Sequence, residues 1–247
     1  MESIKNLEQL PAAAAKKIAP YLREMLALHG DRIRAVFIYG SATGHNFIPA
    51  ISDINSLFIF DYLDFTVFKK SLKTVAWGKK QNIAAPLFLT QEYMKSTVDV
   101  FPIEFRDIKE NYRLVYGEDV LASLEIKGEH IRLFCEQQIK GKLVRLREAY
   151  LEVGLKSKEL ESVIRGSYRD LLPVFRSLIR LKGKKPSYEK ENIIKQLCAE
   201  FQLDENVFLL IHTHIIQGRT IRGYPFESFL ESYLEQLKKL ASQVDQL

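Results

Sequence analysis

Two hydrophobic rhythms divide the chain. Up to about residue 108, short runs of β-branched and aromatic residues alternate with stretches where apolar side chains recur every three or four positions. From about residue 128 onward only the helical period remains. Residues 6–28 predict a helix, with Pro11 near its start and apolar positions at Ile18, Leu22, Met25 and Leu26. Gly30 is a suitable stop, because glycine tolerates left-handed backbone. Residues 33–39 predict a strand broken by Gly40-Ser41, and residues 53–60 a second strand. Residues 64–77 predict a helix with Asp64 as N-cap and Gly78 as stop. A third strand over 84–89, a short helix capped by Thr90 and a fourth strand over 100–107 complete this half.

The second half predicts helices at 128–153, 157–181, 187–201, 204–217 and 226–245. Ile131, Phe134, Cys135, Ile139, Leu143 and Leu146 form an amphipathic stripe in the first of them. Gly154 and Gly183 punctuate the gaps, and Tyr224-Pro225 precedes the last helix. The expected fold class is an α/β domain with a mixed sheet over residues 1–120, followed by an all-α helical bundle over 121–247. Tyr116-Gly117-Glu118-Asp119 reads as the turn linking them.

Composition narrows the setting. The chain has 247 residues, 47% hydrophobic and 27% charged, the balance of a soluble globular protein. Its longest apolar runs, such as Leu57-Phe58-Ile59-Phe60, are too short to span a bilayer, so no membrane partner is expected. Met1 to Lys5 lack a basic segment followed by an apolar stretch, so no secretory signal is expected and a cytoplasmic location fits. Cys135 and Cys198 lie among apolar neighbours in helical segments and read as buried, reduced thiols. The net charge of +5 suits phosphate-bearing ligands but equally reflects ordinary surface scatter. Lys69-Lys70, Lys79-Lys80 and Lys182-Gly183-Lys184-Lys185 carry no interleaved aromatics, so nucleic-acid binding is not expected. A homo-oligomer is left open.

The candidate chemistry sits in the first half. Two carboxylates at i and i+2 of a strand point to one face and form a claw for a hard cation. A third carboxylate from a neighbouring strand closes such a claw, and backbone N–H groups of a Gly-Ser turn can receive phosphates. Here Gly40-Ser41 follow the strand Val36-Phe37-Ile38-Tyr39, Asp53 and Asn55 share a face of the next strand, and Glu104 lies in Phe101-Pro102-Ile103-Glu104-Phe105. Arg106, two residues from Glu104, would share its face on a strand.

This series resembles the signature of the nucleotidyltransferase superfamily with the polymerase-β-like fold. That signature is a hydrophobic strand, Gly-Ser, about ten residues, Asp-x-Asp or Asp-x-Glu, then a lone acid between apolar residues. Eleven residues, Ala42 to Ser52, separate Ser41 from Asp53 here, and the match covers about residues 30–108. The helical half is similar in architecture to the bundle of the kanamycin nucleotidyltransferase type. The resemblance implies Mg2+ and a nucleoside triphosphate as cofactors, with Asp53 and Glu104 catalytic. Asp53, Asn55 and Glu104 would ligate metal, and Gly40, Ser41 and Arg106 would hold the triphosphate.

One position departs from the pattern. Asn55 replaces the second acid, and its carbonyl oxygen is a neutral ligand where the family has an anion. Two functions therefore follow. One is transfer of a nucleoside monophosphate from Mg-NTP to an unidentified acceptor hydroxyl, with release of pyrophosphate. The other is a catalytically degenerate nucleotide-binding or interaction module. The enzyme is the favoured reading. Glu136 and Glu148 are candidate general bases by location, against a solvated helical face. His212 and His214, two apart on a helix, diverge and make no local metal pair, one reading as packed and one as surface.

Overall fold

The computed structural model describes residues 3–44, 47–154, 156–217 and 226–247. The chain divides into two compact units, Met1–Ile126 and Lys127–Leu247.

In the first unit, α1 (Ala12–His29) buries Ala14, Ile18, Tyr21, Leu22 and Met25, the three-and-four spacing of its apolar face. Strand β1 (Ile33–Tyr39) is an inner strand of a four-stranded sheet whose other members are β2 (Asn55–Phe60), β3 (Leu87–Thr90) and β4 (Tyr112–Gly117), in the order β3-β2-β1-β4. It pairs antiparallel with β2 (Asn55–Phe60), Tyr39 opposite Asn55, and antiparallel with β4 (Tyr112–Gly117), Tyr39 opposite Tyr112. Helix α2 (Phe65–Lys79) returns the chain from β2 to the parallel strand β3 (Leu87–Thr90), as a parallel pair requires.

Both expected caps are present. The Asp64 carboxylate accepts from Val67 N–H at 3.1 Å, and the Thr90 hydroxyl accepts from Tyr93 N–H at 3.1 Å to open α3 (Gln91–Thr97). Gly78 does not stop α2. It lies within the last turn, where a Cβ would meet the Tyr21 ring at 2.7 Å, so its use is close packing.

The expected strand over 100–107 is a helix, α4 (Pro102–Glu110), and the fourth strand is β4. Pro102 occupies the first helical position, where its missing N–H is not needed. Phe101-x-Ile103-x-Phe105 alternates like a strand, but Phe105 and Ile108 are the pair that packs against the sheet, a three-residue step. Tyr116 and Gly117 belong to β4 instead of forming a linking turn. Gly117 has φ of 72°, and a Cβ there would lie 1.9 Å from the Arg34 carbonyl oxygen.

The sheet has a core on each face. Val36, Ile38, Ile54, Phe58 and Phe60 pack with α1 and Val67 on one side. Phe37, Leu57 and Ile59 pack with Met94, Phe105, Ile108 and the chain at Val120–Leu124 on the other.

The second unit contains α5 (Gly128–Val153), α6 (Ser157–Leu181), α7 (Lys190–Glu200), α8 (Glu205–Gln217) and α9 (Phe226–Val244). The stripe Ile131, Cys135, Ile139, Leu143, Leu146 is the buried face of α5. Phe208 stands edge-on to both Phe175 and Tyr233 at 5.7 and 5.8 Å. The expected Tyr224-Pro225 break lies outside the described residues.

Candidate functional site

The site forms where β1, β2 and β4 end together. Tyr39 is flanked by Asn55 on one strand and Tyr112 on the other. The next residue, Gly40, turns with φ of 76°, and its N–H donates to the Asn111 carbonyl at 2.9 Å. Gly40–Thr43 form one turn of 3-10 helix, tied by the Thr43 hydroxyl donating to Gly40 O at 2.8 Å. Asn55 lies against this turn. Its amide nitrogen is 3.5 Å from the point a Gly40 Cβ would occupy.

Asp53 is exposed and precedes β2, beyond the isolated bridge that buries Ile54 against Ile83. The approach to it is held by a local turn, with Ser52 N–H donating to Ile48 O at 2.7 Å and Ile48 N–H to the Ser52 hydroxyl at 3.0 Å. Alternation places Asn55 on the face of Leu57 and Ile59. That is the face on which α4 packs.

Glu104 sits in the first turn of α4, so the third acid expected on a strand is on a helix. Burial pushes its carboxyl above the usual range, and the charge of Asp107, one turn further along, adds to the shift. The helix also reverses the parity argument. Residues two apart diverge on a helix, and the Arg106 guanidinium bonds Glu110 at 2.9 Å. Asp107, three apart from Glu104, shares its side instead. No strand of the sheet contains an acid.

One residue of the site, Tyr112, went unrecognised in the sequence. Tyr112 stands edge-on to Phe37 at 5.5 Å and donates its hydroxyl to Asp119 at 2.9 Å. Burial and that carboxylate push the phenol up to about 12. Reading Tyr112-Arg113-Leu114-Val115-Tyr116 as a β-rich run would have placed it.

Among the described residues, no group of three or more His, Cys, Asp or Glu side chains is placed to hold a metal ion. Asp53 supplies one charge and Asn55 a neutral oxygen, a set that does not fit a pair of Mg2+ ions.

Of the bundle candidates, Glu136 has structural partners. Glu136 is paired with Arg132 at 2.9 Å and with Lys140, whose hydrogen bond holds its carboxyl below the usual range. Glu148 is exposed on α5. His212 is the packed histidine, bonded through Nδ1 to the Tyr168 hydroxyl at 3.0 Å. Both cysteines are buried thiols, and burial pushes Cys198 up to about 12.

The chain is similar to a spectinomycin adenyltransferase from Enterococcus faecialis, crystallised with ATP and spectinomycin. The fold is nucleotidyltransferase-like. The TM-score is 0.52 at 13% identity, over 91% of this chain and 98% of that one. No protein-family model and no curated protein matches the sequence. The nucleotidyltransferase-like likeness is therefore one of architecture, and the roles of individual residues rest on their own chemistry.

Proposed function

We propose that this nucleotidyltransferase-like protein binds a nucleoside triphosphate at the turn following β1, with ATP the first nucleotide to test. The observation that carries this reading is the positive-φ turn at Gly40 with Asn55 packed against it, at the mouth of the sheet. It is supported by the fold neighbour having been crystallised with ATP. Because the Gly40 N–H is already bonded to Asn111, its contribution is shape, and phosphate oxygens would meet the following N–H groups of Ser41 and Ala42. Tyr112 and Tyr39 would border the bound nucleotide. Arg106, held by Glu110, would need to leave that ion pair to reach a phosphate.

Nucleotidyl transfer is the second reading, favoured by the retained Ser41 and Asp53. In that reaction an acceptor oxygen bonds the α-phosphorus, the bond to the β-phosphate oxygen breaks, and pyrophosphate leaves while the acceptor proton passes to a base. The acceptor is a hydroxyl-bearing compound that the chain's chemistry does not specify. Asn55 and the helical placement of Glu104 leave this step with one carboxylate at the turn, so binding is the stronger proposal.

Calorimetric titration with ATP, with and without Mg2+, tests the site. Binding that Asp53→Ala weakens supports it, and no nucleotide binding under either condition removes the reading. A pyrophosphate-release assay separates the two functions. Release by the wild type establishes transfer, whereas release only by Asn55→Asp identifies a binding protein that lost a catalytic acid.

A further inference from the structure

Helix α2 is packed the wrong way round for an ordinary surface helix. It buries Val67, Ser71, Thr74 and Gly78, a stripe mostly of small residues, against the core that includes α1. It turns Phe65, Phe68, Leu72 and Trp77 outward, with Phe65 71% and Leu72 64% exposed. Burying small side chains while exposing large apolar ones forgoes hydrophobic stabilisation, so the exposed face has another use.

Charge indicates what covers it. Phe65 to Lys80 contain five lysines and no acid. At about 100° per residue, Phe65, Leu72 and Ala76 lie along the outward line, with Lys69, Lys73 and Lys80 beside them and Lys79 on the opposite flank. The lysine runs that have no interleaved aromatics in sequence thus acquire them in space. The Lys69 ammonium lies 5.2 Å from the centre of the Phe65 ring.

An anionic, apolar surface is therefore required. A protein interface of this kind is disfavoured, because lysine is depleted where proteins bury apolar residues. A single-stranded nucleic acid would stack bases on open aromatic faces. Here Lys69 lies over the Phe65 ring, Arg32 lies over the Tyr62 ring at 4.6 Å, and Phe68 packs against Phe88 at 5.8 Å. Leu72 offers nothing to a base. Apolar side chains ringed by lysines, with a tryptophan at the flank, match a helix lying in the headgroup region of an anionic membrane.

We infer that the exposed face of α2 is a peripheral docking surface for anionic lipid bilayers. The contact lies on the surface, since no helix among the described residues is long and apolar enough to cross a membrane. It uses the side of the sheet opposite Asn55 and is independent of nucleotide binding.

Flotation of the full chain with phosphatidylcholine vesicles, with and without phosphatidylserine, tests it. Capture by the phosphatidylserine vesicles is expected, falling at least tenfold in Phe65→Ser/Leu72→Ser, in Lys69→Glu/Lys73→Glu, and in high salt. The charge-reversal variant alters only exposed lysines, so the test survives if the apolar variant misfolds. Equal capture by both vesicle types, or capture unchanged in both variants, overturns the proposal. So does a single-stranded oligonucleotide held by the same residues in preference to vesicles, or a dimer in light scattering that the apolar variant dissolves. ATP titration of the charge-reversal variant should match the wild type.

Discussion

At the scale of single residues, two glycines with similar backbone angles do different work. Gly40 has room around it and meets only the Asn55 amide. Gly117 has none, since a methyl group there would collide with the Arg34 carbonyl. Gly117→Ala should therefore cost about 3 kcal/mol of stability, from overpacking added to an unfavourable φ, read as a lowered urea midpoint. The sequence showed Gly40 as the break after a strand but hid Gly117, because its constraint comes from a strand partner more than eighty residues away. Asn55 was legible as a departure from a pattern. Its contact with Gly40 was not, since residue spacing carries no information on how a side chain packs against a turn.

At the scale of elements, signals written in the local chain were readable and those written in the sheet were not. Asp64 and Thr90 announced their helices because a capping side chain bonds within three residues of itself. Thr90→Ala removes the bond to Tyr93 N–H and should cost about 1 kcal/mol, visible as earlier thermal loss of helical circular dichroism. Helix α4 was misread because Phe101, Ile103 and Phe105 alternate over five residues, too short a window to separate period two from period three to four. The error moved Glu104 from a strand to a helix and turned Arg106 away from it. It also hid β4, because a strand ending at 107 left residues 112–115 without an element and Tyr116–Asp119 as the linking turn. One wrong period thus displaced two elements and the third acid of the site.

At the scale of the whole molecule, each unit contains, among the described residues, one buried histidine whose burial favours the neutral form. His29 is bonded to the Ser71 hydroxyl at 2.9 Å, and burial, with Lys70 and Arg32 nearby, lowers its pKa. His212 is lowered by burial. A base whose folded pKa lies below its unfolded value near 6.5 contributes stability that is fully present above that value. This stability is lost as pH falls from about 6.5 toward the folded value, because the unfolded chain takes up the proton first. Urea midpoints should accordingly drop between pH 7 and pH 5 in both units. His29→Gln should flatten the drop read from the first unit. The division of the chain into a mixed α/β half and a helical half was legible because each half keeps its own period along its length.

The buried thiols and the aromatic pair between α1 and α2 make that comparison practical. Trp77, the sole tryptophan, stacks on Tyr21 at 6.4 Å in the first unit, whereas Cys135 and Cys198, the only two cysteines, are buried in the second. Nature has thus given each unit a private reporter. Indole emission should follow the first unit and the rate of thiol labelling by a disulfide reagent the second. Two separate denaturation midpoints would show the units melting independently, and coincident ones would show them cooperating.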